Sequence, residues 1–297
     1  MDNELLYFDR IEVIKSVNQK YDLEHNAYLS FSGGKDSTIL HYLLDAALPN
    51  NQIPRVFIDT GIEYTMIRDF VLKLAETDKR IVIIKPSKPI KPTLDKVGYP
   101  FKSKEHSLRV EQFNRGKNAN YIKKYISGYD HNGKPSTFVC PKILLYQFET
   151  REKYNYSNRC CYEMKKKPAH LWAKENKKTI VITGMRSEEG GNRARLGCLT
   201  DNNTKFHPLI KVDDEWETWF IDKMNIKLAE LYYPPFSFKR TGCKGCPYAL
   251  DLQEQLEIME LYLPNERKQC EIIWKPVYDE YRRLGYRLRK SEQIKLF

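Results

Sequence analysis

The chain holds 297 residues, room for one large α/β domain with an appendage, and carries a formal net charge of +11. That balance favours anionic partners, nucleotides or nucleic acid, although a lysine-rich surface also serves solubility alone. No stretch approaches the ~20 apolar residues that span a bilayer, and the acidic start Met1-Asp2-Asn3-Glu4 is unlike a signal peptide, so a cytoplasmic protein without membrane contact is expected.

In chain order, a helix is expected over residues 4–20, with Leu5, Ile11, Val13, Ile14 and Val17 as its apolar positions. Tyr28 to Phe31 reads as a short buried strand. It runs into Ser32-Gly33-Gly34-Lys35-Asp36-Ser37, after which Ile39, Leu40, Leu43, Leu44 and Ala47 recur at helical spacing. A helix start leaves N–H groups unpaired and carries partial positive charge, so it attracts an anion. Gly33 and Gly34 let the backbone turn sharply and approach a ligand. Lys35 adds a full charge, Ser32 and Ser37 add hydroxyls, and Ser30 and Asp36 flank them. Two glycines alone would be an ordinary strand-to-helix turn. The whole hexapeptide in this context points to a nucleotide phosphate, and its spacing is not that of the Walker loop.

Further strands are expected at Arg55–Asp59, Arg80–Lys85 and Lys178–Met185, with a helix near residues 63–77. Strands alternating with helices imply an α/β fold with a doubly wound parallel sheet. Ligands of such sheets sit beyond the carboxyl ends of the strands. Three segments fall there: Ser32–Ser37, Asp59-Thr60-Gly61 and Gly184-Met185-Arg186. Asp59 suits an adenosine hydroxyl or Mg²⁺, or else merely closes a turn. Arg186 and Arg193 suit phosphate or sulfate oxygens by paired hydrogen bonds, or else are surface charge. Residues 86–150, rich in lysine and aromatics, read as an inserted region of loops and short helices. It fits a polyanion, a lid or an oligomer contact. Asp213–Met224 reads as an amphipathic helix with Trp216, Trp219 and Phe220. The expected division is one α/β domain over 1–232 and a C-terminal cysteine-bearing helical segment, 233–297, packed on it.

Seven cysteines in such a chain suggest metal or redox chemistry more than a disulfide framework. Cys160-Cys161 and Cys243-x-x-Cys246 form two tight pairs. Four thiolates suit zinc or an iron–sulfur cluster by softness and count. Adjacent cysteines diverge, which favours a cluster whose several irons accept sulfurs separately. A redox disulfide at Cys243/Cys246 with two buried thiols at Cys160/Cys161 is the alternative. Cys140, Cys198 and Cys270 have no spacing partner and read as buried thiols, and His41 reads as a packing residue.

The hexapeptide resembles the pyrophosphate-binding loop of N-type ATP pyrophosphatases, a superfamily with an adenine nucleotide alpha hydrolase-like sheet. Arg159-Cys160-Cys161-x-x-x-Lys165-x-x-Pro168, Asp59-Thr60-Gly61, Gly184-Met185-Arg186 with Arg193, Pro208-Leu209 and Thr241-Gly242-Cys243-x-x-Cys246-Pro247 follow in order. Together they resemble the phosphoadenosine phosphosulfate (PAPS) reductase family. The resemblance implies an adenine nucleotide, ATP or PAPS, beside a 4Fe–4S cluster on Cys160, Cys161, Cys243 and Cys246. It also implies Lys35, Asp36, Lys165 and Arg186 as catalytic residues. Two departures from the sulfonucleotide reductases stand out. The given sequence ends Arg289-Lys290-Ser291-Glu292-Gln293-Ile294-Lys295-Leu296-Phe297, without their tail cysteine, and its phosphate loop is the intact form typical of adenylylating enzymes. The expected function is therefore ATP-dependent adenylylation and sulfur transfer to an acceptor such as DNA or tRNA. The alternatives are reduction of PAPS or adenylyl sulfate to sulfite, and a non-enzymatic nucleotide- and cluster-sensing module. A sulfur donor, a thioredoxin-like thiol protein and a second copy of the chain complete the expected partners.

Overall fold

A computed structural model of the protein describes residues 2–117, 119–189 and 195–290. Its helices are α1 (Asn3–Tyr21), α2 (Leu23–Asn26), α3 (Lys35–Ala47), α4 (Thr65–Thr77), α5 (Ile90–Val97), α6 (Lys104–Asn114), α7 (Asn120–Ser127), α8 (Lys167–Glu175), α9 (Asp214–Lys223), α10 (Leu252–Tyr262) and α11 (Pro264–Leu284). Its strands are β1 (Ala27–Ser30), β2 (Arg55–Ile58), β3 (Ile81–Ile84), β4 (Ile180–Ile182), β5 (Leu199–Thr200) and β6 (Lys205–Phe206). The chain forms two compact units, one from Met1–Ser87 with Lys165–Gly242, the other from Lys88–Met164 with Cys243–Phe297. The segment read as an insertion and the one read as a C-terminal appendage thus fall largely in the same unit.

The first unit is an α/β sheet of order β3-β2-β1-β4-β6-β5, parallel except for the β5–β6 pair. Strand alternation explains why helices cover both faces. Leu29, Phe31, Phe57 and Ile182 point into a core with Leu40, Leu44, Trp216 and Phe220. Tyr28, Val56 and Val181 point the other way, toward Trp172 and Ala173 of α8. The chain leaves β1 toward β2 and β3, then returns to place β4 on the other side of β1. The crevice at such a reversal is where α/β sheets bind ligands. The four longer strands were legible from their apolar runs. β5 and β6 are two residues each, too short for any periodicity to register.

At the far end of β2, Arg55 is fully buried. Its guanidinium donates to Asn51 Oδ1 at 2.7 Å, Asp45 Oδ1 at 2.6 Å and His41 Nδ1 at 3.2 Å. Because Nδ1 accepts, His41 is the neutral tautomer, and burial followed by the Arg55 charge pushes its pKa down to about 4.

The second unit is helical. His106 is fully buried, with Tyr125 Oη 2.9 Å from Nδ1 and Gln147 Oε1 2.8 Å from Nε2. The glutamine oxygen can only accept, so Nε2 carries a hydrogen, and burial pushes the ring's pKa down to about 4 against that bond, which leaves it neutral at pH 7. Both histidines bind fewer protons folded than unfolded between about 4 and 6.5, so their contribution is full above 6.5 and is lost as pH falls. One group, Glu217, shifts the other way, to about 7, and two histidines outweigh it. Lowering the pH from 7 to 5 should therefore reduce stability by ~2 kcal/mol net. A urea midpoint unchanged across that range would contradict this. Among the described residues no helix is long and apolar enough to cross a membrane.

Candidate functional site

Gly33 has φ +70°, and a Cβ there would lie 2.6 Å from Val71 Cγ2, so the turn after β1 needs glycine for conformation and for space. Ser32 and Ser37 brace the loop from inside. Ser37 Oγ accepts from Ser32 N at 3.2 Å and donates to Gly34 O at 2.9 Å. A Cβ on Gly184 would meet the backbone and Cβ of Asp36 at 3.0 Å. The end of β4 therefore packs directly on the first turn of α3, bringing Gly184 and Arg186 to Lys35 and Asp36. Arg193 lies outside the described residues.

At this meeting point the charges are dense. Arg186 is buried and reaches Asp214 Oδ1 at 2.7 Å, Glu188 Oε2 at 3.1 Å, Glu217 Oε1 at 3.3 Å and Asp36 Oδ1 at 3.9 Å. Burial opposes its charge, but Glu217 and Asp214 outweigh that and raise its pKa. Lys35 Nζ lies 2.7 Å from Glu217 Oε2 and 3.5 Å from Asp214 Oδ1. Sequence reasoning missed Glu217, whose side chain is 0% exposed. Its one visible signal is an acid between two tryptophans, Trp216 and Trp219, on a helix read as amphipathic. Both its oxygens, and Arg186 Nε, lack an aligned hydrogen bond among the described residues. Burial first, then the Asp36 charge, pushes Glu217 up to about 7 against the pull of Lys35 and Arg186.

Tyr232 was also missed. Its hydroxyl accepts from Lys35 N at 2.8 Å and lies 2.6 Å from Thr241 Oγ1. The pair occupies one of the amide donors that a helix start offers to an anion. Burial raises the phenol to about 12, so it stays protonated and neutral there.

A cavity of about 320 Å³ opens beyond β1, β2 and β4. Ser30, Ser32 and Lys165 line it, with Phe57, Val181, His170 and Thr183. Its size and mixed lining suit a base and sugar. Asp59, Thr60 and Gly61 instead form a self-contained turn. Glu63 accepts from Thr60 N at 2.9 Å and Thr60 Oγ1 at 2.7 Å, while Asp59 accepts from Gly61 N at 3.3 Å and Arg68 Nε at 3.2 Å. Lys165 Nζ stands 3.6 Å from Glu63 Oε1.

All four paired cysteines lie in the second unit, and none of the seven is in a disulfide. Cys160 and Cys161 immediately precede a π-helical turn, Tyr162–Lys166, a widened backbone frequent at functional sites. The Cys243–Cys246 loop is gripped through its carbonyls by α11. Trp274 Nε1 donates to Lys244 O at 3.0 Å, Tyr278 Oη to Gly245 O, and Tyr281 Oη to Pro247 O at 3.0 Å. Burial raises the Tyr248 phenol, and the charges of Cys161, Cys246 and Cys160 raise it further. Among the described residues no three His, Cys, Asp or Glu side chains form a group that could hold a metal ion. A single zinc needs four donors within ~2.3 Å of one centre. A cluster takes each thiolate on a different iron, and this donor set, four thiols outside any disulfide on two short segments, fits it chemically.

The family model of the phosphoadenosine phosphosulfate reductase domain matches residues 26–133 and 142–249. An uncharacterized protein of Methanocaldococcus jannaschii is 27% identical over 284 residues, 92% of this chain and 56% of that protein. The chain thus spans little more than half the length of that relative. A crystal structure of phosphoadenylyl-sulfate reductase from Candida auris, a phosphate complex, is 16% identical with TM-score 0.47, covering 79% of this chain and 87% of that one. The U34-tRNA thiolase from Methanococcus maripaludis with its 4Fe–4S cluster is 16% identical with TM-score 0.41, covering 95% of this chain and 81% of that one.

Proposed function

The chain belongs to the phosphoadenosine phosphosulfate reductase domain family, and from that premise we propose that it splits ATP between the α and β phosphates to adenylylate an acceptor, with nucleic acid as the favoured class. The observation that carries this reading is the convergence of Lys35, Asp36 and Arg186 at the start of α3. Lys35, Arg186 and the helix N-terminus supply positive charge where a departing pyrophosphate gathers negative charge. The base and sugar take the cavity beside Ser30 and Ser32. An acceptor oxygen attacks the α-phosphorus, its bond to the bridging oxygen breaks, and pyrophosphate leaves.

Cys160, Cys161, Cys243 and Cys246 would hold a 4Fe–4S cluster, which when bound supplies electrons or an iron site for a sulfur ligand. Lys165, on the cavity wall beside Glu63, would meet an anionic group of the nucleotide or acceptor. Cys270 makes a poor attacking thiol for sulfonucleotide reduction, being fully buried, with burial pushing its pKa up to about 12. The test is pyrophosphate release from ATP by anaerobically purified protein, with tRNA or DNA supplied. Acceptor-stimulated release is expected. No release with any nucleic acid, together with sulfite from PAPS in a thioredoxin-coupled assay, would replace this reading with the reductase.

A further inference from the structure

Lys35 is not idle in this structure, and its partner explains what must happen when a phosphate arrives. Glu217 enters the phosphate site from α9 with a side chain fully out of water. Its partners are two cations, Lys35 from α3 and Arg186 from the segment after β4. Three further acids crowd these cations: Asp36 on α3, Glu188 after β4, and Asp214 on the same helix as Glu217. The Tyr232 phenol, which faces the same site, is neutral. Arg186 is shared among four carboxylates and lies closest to Asp214, at 2.7 Å against 3.3 Å for Glu217. Lys35 is therefore the nearest cation Glu217 has, and Lys35 remains partly exposed.

We infer that Glu217 is a positioning residue that holds Lys35 until a nucleotide phosphate takes the lysine over, and that Glu217 then takes up one proton from solvent. The inference rests on the nucleotide reading above. The exchange follows from desolvation: a buried carboxylate that loses its nearest cation cannot turn to water, and Asp36 repels its charge. Neutralisation by one proton is the least costly response. No covalent bond changes, and the proton comes from the buffer. Nucleotide binding thereby becomes pH-dependent.

The experiment is isothermal titration calorimetry of the full chain with α,β-methylene ATP at pH 8, in buffers of different ionisation enthalpy. At that pH the free nucleotide's own phosphates are already deprotonated, so they release nothing. The slope of heat against buffer enthalpy is expected to give uptake of about one proton per nucleotide. The dissociation constant should correspondingly weaken about tenfold per pH unit above 8. Glu217→Gln should bind with a slope near zero, and so should Lys35→Gln if it binds measurably, since its Glu217 is protonated beforehand. Binding by the wild-type chain with no buffer dependence would overturn the inference and leave the nucleotide reading intact. No binding at all would overturn both. The wild-type measurement decides the matter even if a variant misfolds.

Discussion

Replacing Lys35 with alanine is expected to lower pyrophosphate release from ATP by ~100- to 1000-fold, the usual cost of removing one group aimed at developing negative charge. The same change carries a second, separable cost. It removes the nearest cation from Glu217, whose side chain is fully buried, and breaking a buried ion pair from one side is destabilising by ~3 kcal/mol or more when the survivor stays charged. Glu217 escapes part of that cost by protonating, so the loss of stability should grow as pH rises above 7. Adding Glu217→Gln to Lys35→Ala should then restore the urea midpoint at pH 8 without restoring turnover. Recovery of both, or of neither, would show that lysine and glutamate do not have the distinct roles assigned to them.

The other large effect is expected in the second unit. Gly245 sits inside the Cys243–Cys246 loop at φ +60°, and a Cβ there would lie 2.7 Å from Cys270 Sγ, 2.9 Å from Cys270 Cβ and against the Tyr278 hydroxyl. Gly245→Ala adds left-handed backbone strain to overpacking against buried α11 side chains. Together these should cost ~3 kcal/mol. The loop can only yield by moving off α11, breaking the hydrogen bonds from Trp274 and Tyr278 to its carbonyls. Chemical denaturation should show the loss in stability. Anaerobic iron and sulfide analysis should show most of the iron gone, because two of the four thiols have shifted. A variant with unchanged midpoint and full iron would refute both the packing argument and the assignment of this loop to the cluster.

Much of the glycine-rich loop between β1 and α3 could be read from residue order alone, because strand, glycine turn and helix start are local events. The convergence of Gly184 on Asp36 was half legible. The glycine at a strand end was visible, but its reason, a backbone of α3 at 3.0 Å, belongs to the folded chain. Glu217 and Tyr232 were not legible, and Thr241 stood out only as part of the Thr-Gly-Cys motif, not as a neighbour of Tyr232 and Gly34. Each reaches Lys35 or the loop from far along the sequence, and an acid on a helix or a tyrosine before two prolines carries no local mark of burial. Asp59 illustrates the opposite case. Its motif was plain, yet its carboxylate is engaged by Gly61 in its own turn and by Arg68 on α4. A motif names residues that keep company in sequence, whereas a site gathers whatever the sheet brings together.

The two cysteine segments stand next to the points where the chain passes from one unit to the other, at Met164–Lys165 and at Gly242–Cys243. Everything between them, including α8, β4, β5, β6 and α9, is a single excursion of the polypeptide. A cluster bound to both segments would tie that excursion at its neck, closing a ring of roughly 80 residues. Such a cross-link restricts the unfolded chain, by ~4 kcal/mol if it acts as a disulfide spanning the same length would. Iron loss would then free the unfolded excursion and lower the stability of the first unit, which contains all of it, including β4, Gly184 and Arg186.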